Sequence, residues 1–252
     1  MRVILMNKNT EILETEYDAA TGSFVKVYKV YNIDYAPYIL KSFYTEDNIN
    51  DTPFRTNLSD WFKGRGIPSW RDNLDLLLHR LNITAPSELL DKAFGLSLSD
   101  QYWLKPYQSD ITYNDVNFFD NDFNYFEFME ASLSKNSKTI VKSSSLKTPN
   151  NTTDGMLRKA WIIEKDTRYL LKGGYKSETL QPFNEVLASE ICKRLGFNHV
   201  TYTIDTYKDI VVSKCPCFIN KDTELITCYQ IRNDMIRHNN IDRKSTRLNS
   251  SH

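Results

Sequence analysis

Residues 2–6 and 11–17 are two short apolar-rich runs on either side of Asn7-Lys8-Asn9, which predicts a β-hairpin. Gly22 turns the chain into a third strand, Phe24 to Tyr31, with Val25, Val27, Lys29 and Tyr31 on one face and Phe24, Lys26, Tyr28 and Val30 on the other. The period then changes. Leu58 to Lys63 predicts a short helix stopped by Gly64 and Gly66, and Arg71 to Leu81 an amphipathic one, because Leu74, Leu77, Leu78 and Leu81 recur at helical spacing. His79 lies beside that stripe as a boundary residue. Ser87 is placed to cap a further helix, Glu88 to Phe94, with Gly95 as its stop.

Residues 115–130 mix six aromatic rings with carboxylates, and the rings are expected to be buried while the carboxylates stay wet. Residues 132–153 shift to Ser, Thr, Asn and Lys, which marks a boundary, although Lys138 to Ser145 has the composition of a strand. Beyond it come strand Leu157 to Glu164, the turn Lys165-Asp166, strand Arg168 to Lys172, and a helix from Pro182 to Leu195. Phe183, Val186, Leu187, Ile191 and Leu195 form the apolar face of that helix, and Gly196 ends it. Thr201 to Asp205 and Ile210 to Ser213 are two more strands.

The 252 residues are 40% hydrophobic, 25% charged and 13% aromatic, which fits a globular protein with a sizeable core. Lys plus Arg equals Asp plus Glu at 32 each, so a polyanion is disfavoured as a direct partner, and no run is long enough for a membrane span. The four cysteines lack the spacing of a disulfide framework, which points to reduced thiols and a cytoplasmic location. Cys215, Cys217 and Cys228 do not have zinc spacing, so no metal site is expected from them. The last eleven residues, Asp242 to His252, read as the translation of a sequencing adapter and are expected to make no core contact.

The order from Thr152 onward (Gly-containing turn, strand, strand ending in a Lys, helix with a Glu, strands) is that of a protein-kinase small lobe. Its chemistry follows from charge. A turn with Gly lets backbone N–H groups approach nucleotide phosphates, a strand Lys supplies positive charge, and a helix carboxylate holds that Lys in place. On this helix both Glu185 and Glu190 are available, and Glu190 lies nearer the apolar face.

The stretches TTDGMLRKAWIIEKDTRYLLKGG (152–174), QPFNEVLASEICKRLGF (181–197) and VVSKCPCFINKDTEL (211–225) resemble HipA-like bacterial kinases. So do RGIPSWRDNLDLLLHRL (65–81), AFGLSLSDQYWLKP (93–106) and DVNFFDN (115–121). The resemblance implies an α+β fold: an N-terminal mixed α/β region over 1–135, then a kinase-like small lobe over 138–230 with an antiparallel sheet and one helix. Residues 231–241 would begin a large lobe. It implies that Thr153, Asp154, Gly155 and Met156, running on to Leu157, form the phosphate loop. Lys172 is the phosphate-binding Lys, and Glu185 its partner through the family's Asn-Glu pair at Asn184-Glu185. Lys214, Cys215, Cys217 and Phe218 belong to the hinge that meets the adenine. The loop departs from eukaryotic kinases in having a single Gly.

The implied activity is transfer of phosphate from ATP to a Ser or Thr of a protein, with magnesium and with an antitoxin-like partner. In that family the Asp that orients the acceptor and the residues that hold magnesium follow the hinge, and Asp222 and Asp234 stand too early for either role. The chain is therefore expected to stop before the catalytic loop, to contain no catalytic residue, and to be poorly soluble alone. A non-catalytic module, either a nucleotide sensor or an excisionase-type DNA-associated regulator, is the alternative. A later Asp/Asn pair in the gene would exclude it.

Overall fold

Two four-stranded antiparallel sheets and eight α-helices, with short 3-10 turns between them, make up the described part of this α+β chain, a computed structural model describing residues 1–134, 146–175 and 180–238. The first sheet has β1 (Arg2–Asn7), β2 (Thr10–Asp18), β3 (Ser23–Val30) and β4 (Tyr102–Pro106), in the order β3-β2-β1-β4. Its first turn is Lys8-Asn9, with Lys8 at φ 51.

Both faces of this sheet are covered, which is why β1 reads as an unbroken apolar run. Val3 and Leu5 join Tyr102 and Leu104 in a cluster under helices α1 (Tyr38–Lys41) and α2 (Thr52–Gly64). Ile4, Met6 and Trp103 point the other way, toward Phe118, Phe123 and Trp161. Strand β4 carries no alternating signal for the same reason, and the sequence reading missed it. Helix α2 starts six residues before the expected Leu58, because Pro53 sits in its first turn, where a missing N–H costs nothing.

Helix α3 (Leu74–Leu81) starts three residues later than expected, after Asn73 at φ 58, so Arg71 and Asp72 precede it. Helix α4 (Ser87–Lys92) is not capped by Ser87; Glu88 instead accepts from the backbone N–H groups of Thr84 and Ala85. Gly95 follows at φ +66, where a Cβ would lie 2.6 Å from the Phe62 ring. Helix α5 (Tyr113–Val116) opens on a Thr112/Asp115 capping box.

Of the rings in 115–130, Phe118, Phe123 and Phe128 are buried and Phe126 is exposed. Helix α6 (Phe126–Leu133) lies between α3 and the second sheet, with Phe128 and Ala131 against Leu77 and Leu81, and Met129 and Leu133 against Ala160 and Leu171.

The second sheet has β5 (Lys159–Glu164), β6 (Thr167–Gly173), β7 (Thr203–Tyr207) and β8 (Ile210–Pro216), ordered β5-β6-β8-β7. The Lys165-Asp166 turn has both residues at positive φ, as a tight antiparallel hairpin requires. Helix α7 (Leu180–Arg194) begins two residues before Pro182 and packs on this sheet.

The side of α7 that meets the sheet is not its apolar stripe. Phe183, Leu187, Ile191 and Leu195 are 48–61% exposed. The helix docks through polar groups one turn apart: Ser213 Oγ donates to Glu185, and Ser189 Oγ accepts from the Tyr202 N–H at 3.1 Å.

The chain then returns across the first half, with the Leu225 N–H on Ser99 O at 2.9 Å, and ends its described part in α8 (Cys228–His238), which the sequence reading did not anticipate. Among the described residues no helix is long and apolar enough to cross a membrane. The suggested strand at 138–145 and the tail 242–252 lie outside the described residues.

Candidate functional site

Strand alternation puts Lys159, Trp161, Leu170, Lys172 and Cys215 on one face of the second sheet, opposite the face that α6 covers. That face is the floor of a cleft of about 290 Å³. Thr153 and Asp154 form one wall, Cys217, Phe218 and Ile219 another, and Leu98 and Leu225 close the apolar end.

The loop side stands on a buried polar frame. Asn150 acts as a partner for the edge of β5, accepting from the Trp161 N–H at 2.5 Å and donating to Trp161 O at 3.2 Å. Thr152 Oγ1 donates to Leu96 O at 2.8 Å. The loop beyond is held by cations. Arg71 donates through Nε to Gly155 O at 2.7 Å and through Nη2 to Thr153 O. Lys159 Nζ donates to Asp154 O, and the Asp72 N–H to Met156 O at 2.9 Å. Gly155 has φ +96, and a Cβ there would stand 2.7 Å from Lys159 Nζ, so any other residue would be strained by the backbone and would displace the Lys159 ammonium.

Lys172 Nζ lies 2.8 Å from Glu185 Oε1 and 2.7 Å from the Tyr202 hydroxyl. Burial by itself would lower its pKa, but the hydrogen bonds to Glu185 and Tyr202 reverse that and hold it above the ordinary value. Glu190 takes no part; it faces Lys193 at 3.9 Å on the exposed side of α7.

Lys159 stands directly across the β5–β6 pair from Lys172. Burial first, then the charges of Arg71 and Lys172, bring its pKa down to about 8. Two like charges on opposed strand positions repel each other, and only Lys172 has a carboxylate at contact distance. Burial also raises the thiols of Cys215 and Cys217.

Of the residues expected at the site, Thr153, Asp154, Lys172, Cys215, Cys217 and Phe218 line the cleft, and Glu185 reaches it through Lys172. Gly155 touches Lys159, and Met156 O is tied to Asp72 while its side chain is exposed. Lys214 is the exception. Its side chain lies on the opposite face, over the Tyr169 ring and paired with Glu164 and Asp205, because it is one residue out of phase with Cys215. Sequence reasoning missed Lys159, Tyr202 and Arg71. The signal for Lys159 was a cation inside the otherwise apolar run Leu157–Ile163, interrupted also by Arg158.

No known family profile matches the chain, and no curated protein matches it. Among solved structures, HipA from the Shewanella oneidensis MR-1 toxin–antitoxin system, in a complex with HipB and its operator DNA, is similar with a TM-score of 0.48 and 14% identity. The match covers 86% of this chain and 50% of that one, so this chain spans half the length of that HipA.

Proposed function

We propose that the cleft binds ATP and that the chain is the nucleotide-binding part of a HipA-like serine/threonine protein kinase. The observation that supports this most is the Lys172–Glu185 pair at 2.8 Å, on a sheet face it shares with Lys159 and under the loop at Thr153–Met156. An ammonium held by a carboxylate beside a second, partly dried ammonium is an arrangement that a polyphosphate completes.

In this reading the phosphates lie across Lys159 and Lys172, and the Asp154 carboxylate, which accepts from the Gly155 N–H at 2.6 Å, gives up that donor to a phosphate oxygen. The base lies toward Trp161 and Cys217, where the backbone from Pro216 to Phe218 is within reach of its edge.

Among the described residues, no group of three or more His, Cys, Asp or Glu is placed to hold a metal ion. The magnesium ligands, the Ser or Thr acceptor and an antitoxin-like partner are parts of the proposal that rest on the sequence resemblance, and a cytoplasmic location rests on the cysteine spacing. The test is a phosphotransfer assay on the gene read through to a downstream Asp/Asn pair, wild type beside Lys172→Met. Transfer in the wild type and none in the variant is expected. Equal transfer in the two would overturn the reading.

A further inference from the structure

Lys159 stands among cations on the cleft floor. It faces Lys172 directly across the β5–β6 pair, and directly opposed strand residues have Cβ atoms only ~4.5–5.5 Å apart. It also shares one loop with Arg71: Lys159 Nζ donates to Asp154 O, and Arg71 Nε to the next carbonyl, Gly155 O. Lys159 is therefore buried, with a neutral carbonyl as its hydrogen-bond partner.

Two carboxylates act on it from farther away, and both are engaged elsewhere. Glu185, from α7, is taken up by Lys172 and Ser213. Asp154, from the loop, is exposed and accepts from the Gly155 N–H. The other titratable groups of the cleft are Tyr202, bonded to Lys172, and the thiols of Cys215 and Cys217. Replacing the Lys159 ammonium by an anion would relieve the repulsion at both neighbouring cations at once.

We propose that Lys159 is a carbamylation site, modified at Nζ by carbon dioxide. The lone pair of the neutral amine attacks the carbon. A C–N bond forms, one C=O π pair moves onto oxygen, and one N–H proton leaves to water. The product, Lys–NH–COO⁻, keeps one N–H for Asp154 O and sets a carboxylate against Lys172 and Arg71. Glu185 opposes it little, because Lys172 already neutralises that carboxylate.

Carbon dioxide is small and uncharged, so it needs no charged pocket to reach the amine, and the cleft of about 290 Å³ includes Lys159 in its lining. Burial first, then Arg71 and Lys172, favour the neutral amine. With a pKa of about 8 against the ordinary 10.5, Lys159 has about 300-fold more free amine at neutral pH than an ordinary lysine. Under the nucleotide reading above, the carbamate puts negative charge beneath the phosphates, and carbon dioxide then opposes nucleotide binding. The modification itself does not rest on that reading.

The test is incubation of the 252-residue chain with isotope-labelled bicarbonate in equilibrium with carbon dioxide. Carbamates are trapped by O-alkylation with a trialkyloxonium salt and located by peptide mass spectrometry. Wild type is compared with Lys172→Met and Glu185→Gln. In the wild type near neutral pH, Lys159 should carry at least about tenfold more label than the exposed Lys193 and Lys221. Normalised to dissolved carbon dioxide, its label should rise up to about pH 8 and then level off, while label on the exposed lysines continues to rise. Lys172→Met should lower the Lys159 label severalfold, because it removes the cation that repels the ammonium and pairs with the carbamate. Glu185→Gln should raise it, because Lys172 is then unpaired; a merely structural disturbance would lower both. Excess label on Lys159 supports the site whether or not the chain binds ATP. Label on Lys159 no greater than on Lys193 and Lys221, a pH course that follows theirs, or a fall in both variants would overturn it.

Discussion

Lys159→Met should stabilise the unliganded protein while weakening its hold on nucleotide. The Lys159 pKa falls from 10.5 to about 8, and at 1.36 kcal/mol per unit that is about 3 kcal/mol spent on keeping the ammonium charged in the fold at neutral pH. Met fills similar space without the charge. Losing the hydrogen bond to Asp154 O gives back about 1 kcal/mol, so a net gain of about 2 kcal/mol is expected, a rise in Tm of ~4–8 °C for a chain of this size.

The pH dependence carries a sign. A Lys whose folded pKa is lowered binds fewer protons in the fold than in the unfolded chain between about 8 and 10.5, so its penalty shrinks as pH rises through that window. Thermal melts of wild type and variant at neutral pH and toward the top of that window should therefore converge. A variant less stable than wild type at neutral pH, with a constant gap as pH rises, would refute the burial argument.

Lys172→Met should act in the opposite direction and cost about 1–3 kcal/mol in chemical denaturation, because Glu185 keeps its burial and loses its counter-charge; Glu185→Gln in the same background should recover part of the loss. Gly155→Ala should cost about 1–2 kcal/mol through its positive φ and push Lys159 off the loop, so the loss should be smaller in a Lys159→Met background, read again by denaturation. Leu187→Lys with Ile191→Glu on the exposed stripe of α7 should raise solubility and reduce binding of a hydrophobic dye, with stability changed by no more than about 0.5 kcal/mol.

The hairpins and the succession of strands and helix in the second half were legible because each is set locally, by turn residues or by period, whereas Glu185 was chosen over Glu190 only through the resemblance at Asn184-Glu185. What escaped the sequence depended on contacts between distant segments. Strand β4 shows no alternation, since Tyr102 and Leu104 face one core and Trp103 another.

The apolar stripe of α7 was visible, yet amphipathicity locates an apolar face without saying which side docks, and here Glu185 and Ser189 dock. Lys159 went unnoticed in the sequence because what encloses it comes from distant segments, Arg71, 88 positions earlier, and the returning segment at Cys217–Leu225. Lys214 was placed in the hinge by the resemblance; one residue out of phase with Cys215 along β8, its side chain lies on the other face, away from the cleft.

The most direct test of the account is calorimetric titration of the 252-residue chain with ATP, wild type beside Lys172→Met and Lys159→Met. The account predicts saturable binding in the wild type that each substitution weakens by about tenfold or more, since each removes one cation from beneath the phosphates. Wild-type affinity in both variants, or no binding by any of the three, would contradict it.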